Sequence, residues 1–123
     1  MSAPRRAPAA LGARGRRFWA TTLGTFDLSD AEAELLAECC RLLDEIDALR
    51  RSVEQDGTTV RGSTGQPRVH PALAEVRQHR LALGRLLSQL DLPDEDGGVV
   101  SPMRARSRRG HAARWGGAAR GTA

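Results

Sequence analysis

Residues 29–55, with the sequence SDAEAELLAECCRLLDEIDALRRSVEQ, decide the fold. The stretch opens with Ser29, whose hydroxyl can accept a hydrogen bond from a free helix amide, and Glu32 follows at the spacing of a capping box. Apolar residues then recur at alternating spacings of four and three, which is the pattern of a heptad seam. They are Leu35, Cys39, Leu42, Ile46, Leu49 and Val53. We therefore predict a long helix over about 30–55, which Asp56-Gly57 ends.

Leu36 and Leu43 lie outside this seam and widen the apolar surface of the helix. A two-helix hairpin covers one stripe of each helix, so we expect the second stripe to be covered by another copy of the chain. Cyclic closure buries such a contact without forming fibres. The sequence therefore predicts a homo-oligomer, ring-shaped, with Leu36 and Leu43 as partner-binding residues.

A second helix is predicted over about 71–91. Pro71 suits the first position of a helix because no hydrogen bond is lost there, and Pro93 disfavours helical angles at Leu92. Apolar residues repeat at alternating spacings of three and four, with Arg80 as the one polar member. If the two helices are antiparallel, Arg80 lies opposite Asp47. It then either pairs with Asp47 or reaches water while its stem covers the seam.

The remaining segments complete an all-α fold, a long antiparallel helical hairpin with a short N-terminal helix and flexible basic arms. The short helix is predicted at about 13–23, where Gly24 would end it. Between the hairpin helices, 58–69 suits a small ribbon or an ordered loop. The domain plan has four consecutive parts. These are a disordered basic arm at 1–12, a core at 13–93 with helices at about 13–23, 30–55 and 71–91, an acidic linker at 94–100, and an Arg-rich tail at 101–123 that could form a helix.

Composition and charge limit the class of protein. The chain has 123 residues, of which 40% are hydrophobic and 3% aromatic, so a core has to be built from aliphatic side chains. All nineteen cationic residues are arginine. Residues 1–26 and 97–123 contain arginine and no acid, whereas the fifteen acids all lie within 27–96. Two basic arms therefore flank an acidic middle.

No pattern of catalytic or metal-ligating residues emerges. The stretch Gly62-Ser63-Thr64-Gly65 lacks the lysine of a phosphate-binding loop, and there is no nucleophile turn. Cys39 and Cys40 are adjacent, which strains a disulfide, and the chain has no C-x-x-C or H-x-x-x-H spacing for a metal. Asp44 and Asp47 suit a solvated helix surface. We expect no catalytic residue, no cofactor and no metal.

No apolar run approaches the roughly 20 residues that cross a bilayer. The first residues also lack the apolar core of a secretion signal. We expect an intracellular protein that makes no membrane contact.

The basic arms match the needs of phosphate binding, namely several guanidinium groups and an aromatic surface for stacking. A solvated charged tail is the alternative. Trp115 stands in an otherwise polar tail and is a candidate for binding a partner protein, since Trp flanked by Arg is enriched at interface hot spots. The candidate nucleic-acid-binding residues are Arg14, Arg16, Arg17, Arg104, Arg106, Arg108, Arg109 and Arg114.

Several short motifs stand in order along the chain. They are Gly12-x-x-Gly15-Arg16-x-Phe18-Trp19, Leu28-x-x-x-Glu32-x-x-Leu35-Leu36-x-x-x-Cys40, Asp44-x-x-Asp47-x-Leu49, Gly62-Ser63-x-Gly65-Gln66, His70-Pro71, Arg77-Gln78-His79-Arg80 and Ala113-Arg114-Trp115-Gly116. Together they resemble the small subunits of tailed-phage terminases, especially those of actinobacterial phages and prophages. The likeness runs from about residue 11 to residue 116.

This resemblance implies an oligomeric, often ring-forming, α-helical protein that is not an enzyme. Such a protein recognises double-stranded viral DNA in the host bacterial cytoplasm and delivers it to the terminase large subunit, which holds the ATPase and the nuclease. Many members carry an N-terminal helix-turn-helix, and no such motif fits before Phe26 here. Two other classes stay open, a small helical regulatory nucleic-acid-binding protein without a packaging role and a structural adaptor that does not use DNA.

Overall fold

The computed structural model describes residues 5–92, and three helices make up most of that part of the chain. They are α1 (Ala13–Thr25), α2 (Asp30–Asp56) and α3 (Pro71–Leu90). Between α2 and α3 lie two short antiparallel strands, β1 (Thr59–Arg61) and β2 (Pro67–Val69). The predicted predominance of helix is confirmed, and the strands fall in the segment for which a ribbon or a loop is predicted. The predicted linker at 94–100 and tail at 101–123 lie outside the described residues.

Helix α2 begins with the predicted capping box. The Glu32 amide donates to Ser29 Oγ at 3.1 Å, and the Ser29 amide donates to Glu32 Oε1 at 2.8 Å. The helix ends at Asp56, where Gly57 follows with a φ of 82°. A left-handed φ favours glycine, so Gly57 stops the helix where the sequence predicts.

Helix α3 starts at Pro71, as predicted. His70 caps it, since its Nδ1 accepts a hydrogen bond from the Ala72 amide at 3.0 Å. At the other end Asp91 adopts a left-handed conformation with a φ of 54°, and its amide donates to the Leu87 carbonyl. The left-handed residue ends the helix one position before the predicted boundary.

Helices α2 and α3 meet through contacts that run in opposite chain order. Near the ribbon, Asp56 Oδ2 lies 3.0 Å from His70 Nε2. Farther from the ribbon, Glu45 Oε1 lies 2.7 Å from His79 Nε2. Residues that precede Asp56 on α2 therefore meet residues that follow His70 on α3.

Of the two alternatives for Arg80, the pair with Asp47 does not form. The Arg80 side chain is exposed, and Asp47 instead accepts a 2.8 Å hydrogen bond from Arg14 of α1. The physical reason is that Asp47 faces α1, while the neighbouring His79 makes the polar contact between α3 and α2. The alternative, in which Arg80 reaches water, agrees with the structure.

The core lies where α1, the N-terminal half of α2 and the end of α3 meet. Leu36 has no exposed surface, and Leu43 is 8% exposed. The prediction that another copy covers Leu36 and Leu43 is therefore wrong in its premise, because other helices of the same chain already cover them. The buried cluster consists of Leu11, Trp19, Leu28, Ala33, Leu36, Ala37, Cys40 and Leu90.

Residues 5–12 do not form the disordered arm that their composition predicts. Leu11 is 5% exposed and belongs to the buried cluster. The Arg5 guanidinium donates to the Leu28 carbonyl at 3.2 Å and to Asp30 Oδ1 at 2.6 Å. Burial of Leu11 and the hydrogen bonds of Arg5 thus help to hold a stretch that lacks periodicity.

The sequence predicts that Gly24 ends helix α1, but the helix continues through Gly24 to Thr25. The Phe26 amide closes the helix by donating to the Thr22 carbonyl at 2.9 Å. Among the helices described for residues 5–92, none combines the length and the apolar character that crossing a membrane requires.

Candidate nucleic-acid interface

Helix α1 carries three of the predicted nucleic-acid-binding residues, and its attachment to α2 decides where they point. The Asp44 carboxylate accepts hydrogen bonds from the Gly12 amide at 2.6 Å and from the Gly15 amide at 2.8 Å. Gly12 is the N-cap of α1 and offers no side chain of its own. Asp44 therefore supplies the cap from another helix, and its negative charge also suits the positive end of the α1 dipole.

Asp47 fixes the same end of α1 from one turn farther along α2. Residues three apart share a helix face, so Asp44 and Asp47 both point at α1. Arg14 Nη1 donates to Asp47 Oδ1 at 2.8 Å, and both side chains remain partly exposed. Sequence reasoning missed this role. The signal in the sequence was a pair of equal spacings, Gly12-x-x-Gly15 at the start of α1 and Asp44-x-x-Asp47 on α2. Asp44 accepts from both glycine amides, and Asp47 pairs with Arg14 between them.

The structure does not gather Arg14, Arg16 and Arg17 into one patch. Arg14 is held by Asp47, and Arg16 Nη1 donates to the Leu11 carbonyl on another side of the helix. Arg17 is exposed and forms no hydrogen bond or ion pair with any residue of the described range 5–92. Arg17 is thus the α1 candidate whose guanidinium is available to a ligand.

A groove of about 350 Å³ lies between α1 and α3 beside Arg14 and Arg17. Its lining also includes Phe18, Thr21, Leu43, Leu83 and Leu87. Two guanidinium groups therefore border a largely apolar floor. The lining offers no carboxylate, imidazole or thiol.

The other predicted binding residues lie outside the described residues. They are the phosphate-binding candidates Arg104, Arg106, Arg108, Arg109 and Arg114, and the partner-binding candidate Trp115.

The two cysteines are buried, with no exposed surface. Burial raises the pKa of the Cys39 thiol and of the Cys40 thiol to about 11 each. Both are therefore protonated near neutral pH, the form that neither attacks electrophiles nor binds metals well. Within residues 5–92 no group of three or more His, Cys, Asp or Glu side chains is placed to hold a metal ion.

A family model described as "Phage terminase, small subunit" matches residues 17–97. This range contains most of α1 and all of α2, the ribbon and α3. No curated protein and no solved structure matches the chain.

Proposed function

The chain belongs to the phage terminase small subunit family, and we propose that it is the non-catalytic subunit that binds viral DNA and delivers it to the large subunit. The family's role is in phage DNA packaging, which favours this function over a regulatory nucleic-acid-binding protein. The observation that carries the proposal is the charge pattern. Two acid-free arginine segments, 1–26 and 97–123, lie on either side of the acidic middle of the chain, 27–96.

The DNA contact in this proposal is electrostatic and weakly selective for sequence. The two segments hold eleven arginines. Within the described residues, Arg5 and Arg14 are ion-paired and Arg16 donates to the Leu11 carbonyl, whereas Arg17 is exposed without a partner. Each phosphate that is neutralised releases counterions, so binding weakens with salt. If about five phosphates are contacted, log K falls with log salt at a slope of roughly −4 to −5.

Truncation tests this contact. Removing residues 99–123 deletes the six arginines of the C-terminal arm. The truncated chain should bind duplex DNA more weakly and with a shallower salt slope than the full chain. Unchanged affinity and slope would exclude the C-terminal arm as the DNA contact.

The large-subunit contact is proposed to involve Trp115. Pull-down with the cognate large subunit, with and without DNA, tests whether the two proteins bind directly. Trp115→Ala should weaken that binding by more than about 1 kcal/mol and leave the DNA affinity nearly intact. If the substitution weakens only DNA binding, Trp115 belongs to base stacking instead.

A homo-oligomeric ring also remains part of the proposal, with a contact surface other than Leu36 and Leu43. Leu81 on α3 is 57% exposed, and it offers apolar surface that the chain itself leaves open. Leu81→Asp should lower the mass measured by light scattering and keep the helical circular dichroism signal. A monomer mass for the unmodified protein at micromolar concentration would exclude the ring.

A further inference from the structure

The ribbon between α2 and α3 is held by local hydrogen bonds and adds nothing to the buried cluster. The Gly62 amide donates to the Gln66 carbonyl at 2.6 Å, and the Gly65 amide donates to the Gly62 carbonyl at 3.0 Å. The bond between Gly62 and Gln66 leaves residues 63–65 as a three-residue hairpin loop. Its last residue, Gly65, has a left-handed φ of 86°, as is common in such loops. No residue of either strand is buried, and Val69 is 64% exposed. The ribbon thus presents its side chains outward.

The tip of the ribbon is stiffened by its own side chains. Gln66 Oε1 accepts hydrogen bonds from the Thr64 amide at 3.1 Å and from the Thr64 hydroxyl. A Cβ atom at Gly62 would lie 2.6 Å from Gln66 Nε2, so the glycine makes room for this side chain. A tip that is already rigid loses less conformational entropy when it binds.

The ribbon also carries positive charge and has no acidic residue of its own. The segment 57–74 contains no aspartate or glutamate. Arg61 and Arg68 are exposed, and neither forms a hydrogen bond or an ion pair with another residue of the range 5–92. An anionic partner therefore meets two free guanidinium groups at this end of the molecule.

The strand register places these two arginines on opposite faces of the ribbon. Arg61 lies opposite Pro67, and Arg68 lies opposite Val60. Cross-strand partners share a face and successive residues alternate, so Arg61 and Arg68 point in opposite directions. A ribbon that enters a groove tip first would direct one arginine toward each wall.

We infer that the ribbon Thr59–Val69 enters the major groove of duplex DNA, with Arg61 and Arg68 on the phosphates of the two walls. The inference rests on the proposed DNA-binding function and adds an element outside the basic arms. The major groove is about 12 Å wide and admits a two-stranded ribbon, whereas the minor groove is about 6 Å wide. Charge complementarity and size therefore favour the same partner.

Paired substitutions test the charge contact. Arg61→Gln with Arg68→Gln should weaken binding to duplex DNA and reduce the magnitude of the salt slope by about 2, since two phosphate contacts are lost. The matched control is Arg77→Gln with Arg85→Gln. It removes two exposed arginines of α3 and the same net charge, and it should change the slope much less.

A chemical probe tests the location. Ser63→Cys places a thiol at the ribbon tip, and the two natural cysteines are buried, so an iron chelate that generates hydroxyl radicals can be attached there selectively. The tip chelate should cut duplex DNA, while the same chelate on Gln78→Cys, an exposed position in the middle of α3, should cut it much less. Methyl green, which occupies the major groove, should suppress the cutting, and netropsin, which occupies the minor groove, should not.

The outcomes separate this inference from the proposed function. If the unmodified protein binds duplex DNA and the ribbon variant binds with the affinity and slope of the α3 control, the inference is overturned and the proposed function stands. Suppression by netropsin and not by methyl green would also overturn it. If the unmodified protein does not bind duplex DNA at all, both the proposed function and the inference fail.

Discussion

Gly15 of α1 and Asp44 of α2 fit each other so closely that the glycine has no room for a side chain. The Gly15 amide donates to Asp44 Oδ1 at 2.8 Å, and a Cβ atom at position 15 would overlap the same carboxylate. It would also lie 2.9 Å from the Cys40 carbonyl oxygen, which belongs to the backbone of α2 and cannot turn aside. This contact sets the distance between the two helices, and with it the position of the α1 arginines.

Gly15→Ala should destabilise the fold by about 1 to 3 kcal/mol, as overpacking of a tight contact does. Urea unfolding followed by circular dichroism measures the change. Gly24→Ala is the matched control, because it lies in the same helix and a Cβ atom there would meet nothing within 4 Å. The control should be neutral or stabilising by up to about 1 kcal/mol. Equal effects of the two substitutions would contradict the close approach at Gly15.

Asp44→Ala should cost about 1 to 3 kcal/mol, since it removes the acceptor of two amides at the start of α1. Asp47→Ala is the comparison on the same face of α2. It breaks only the partly exposed pair with Arg14, which is worth at most about 1 kcal/mol. A larger loss for Asp47→Ala than for Asp44→Ala in urea unfolding would show that the ion pair, and not the cap, holds α1.

The ends of α2 and the start of α3 could be predicted because local chemistry decides them. A serine followed three residues later by a glutamate, a glycine after the last turn and a proline at the first turn each act over a few residues. Ser29, Gly57 and Pro71 therefore stand in the structure as the sequence predicts.

The attachment of α1 could not be read in the same way, because it joins residues far apart in the chain. Gly15 and Asp44 are 29 positions apart, and neither residue type is diagnostic by itself. The apolar excess at Leu36 has two possible uses, a contact within the chain or a contact between copies. Periodicity alone does not distinguish these two uses. In the structure Leu36 is buried within the chain, in a cluster that includes Leu11, and Leu11 lies in a stretch without periodicity.

Cys39 and Cys40 should not react with a thiol reagent in the folded protein. Both side chains are fully buried, and burial raises each pKa to about 11, so few thiolates exist at mildly alkaline pH. Ellman's reagent should therefore label no thiol at first and two per chain after unfolding in urea. Fast labelling of the folded protein would mean that the region around α2 opens easily.

His79 should make the stability of the fold depend on pH near neutrality. Its Nδ1 lies 2.8 Å from the Glu75 carbonyl oxygen, and its Nε2 lies 2.7 Å from Glu45 Oε1. Both partners only accept hydrogen bonds, and a neutral imidazole has one N–H, so the doubly protonated form satisfies both contacts. The hydrogen bond to the Glu75 carbonyl is the main cause that raises the pKa of His79, and Glu45 adds to it.

The sign of the effect follows from the raised pKa of His79. The contribution to stability is fully present below the unfolded value of about 6.5 and is lost as the pH rises through the higher folded value. Urea unfolding at about pH 6 and about pH 8.5 should therefore show the unmodified protein more stable than His79→Gln at the lower pH, with a smaller difference at the higher pH. Glu45→Gln should reduce this pH dependence without abolishing it, since the Glu75 carbonyl remains. A difference that grows as the pH rises would contradict the assignment.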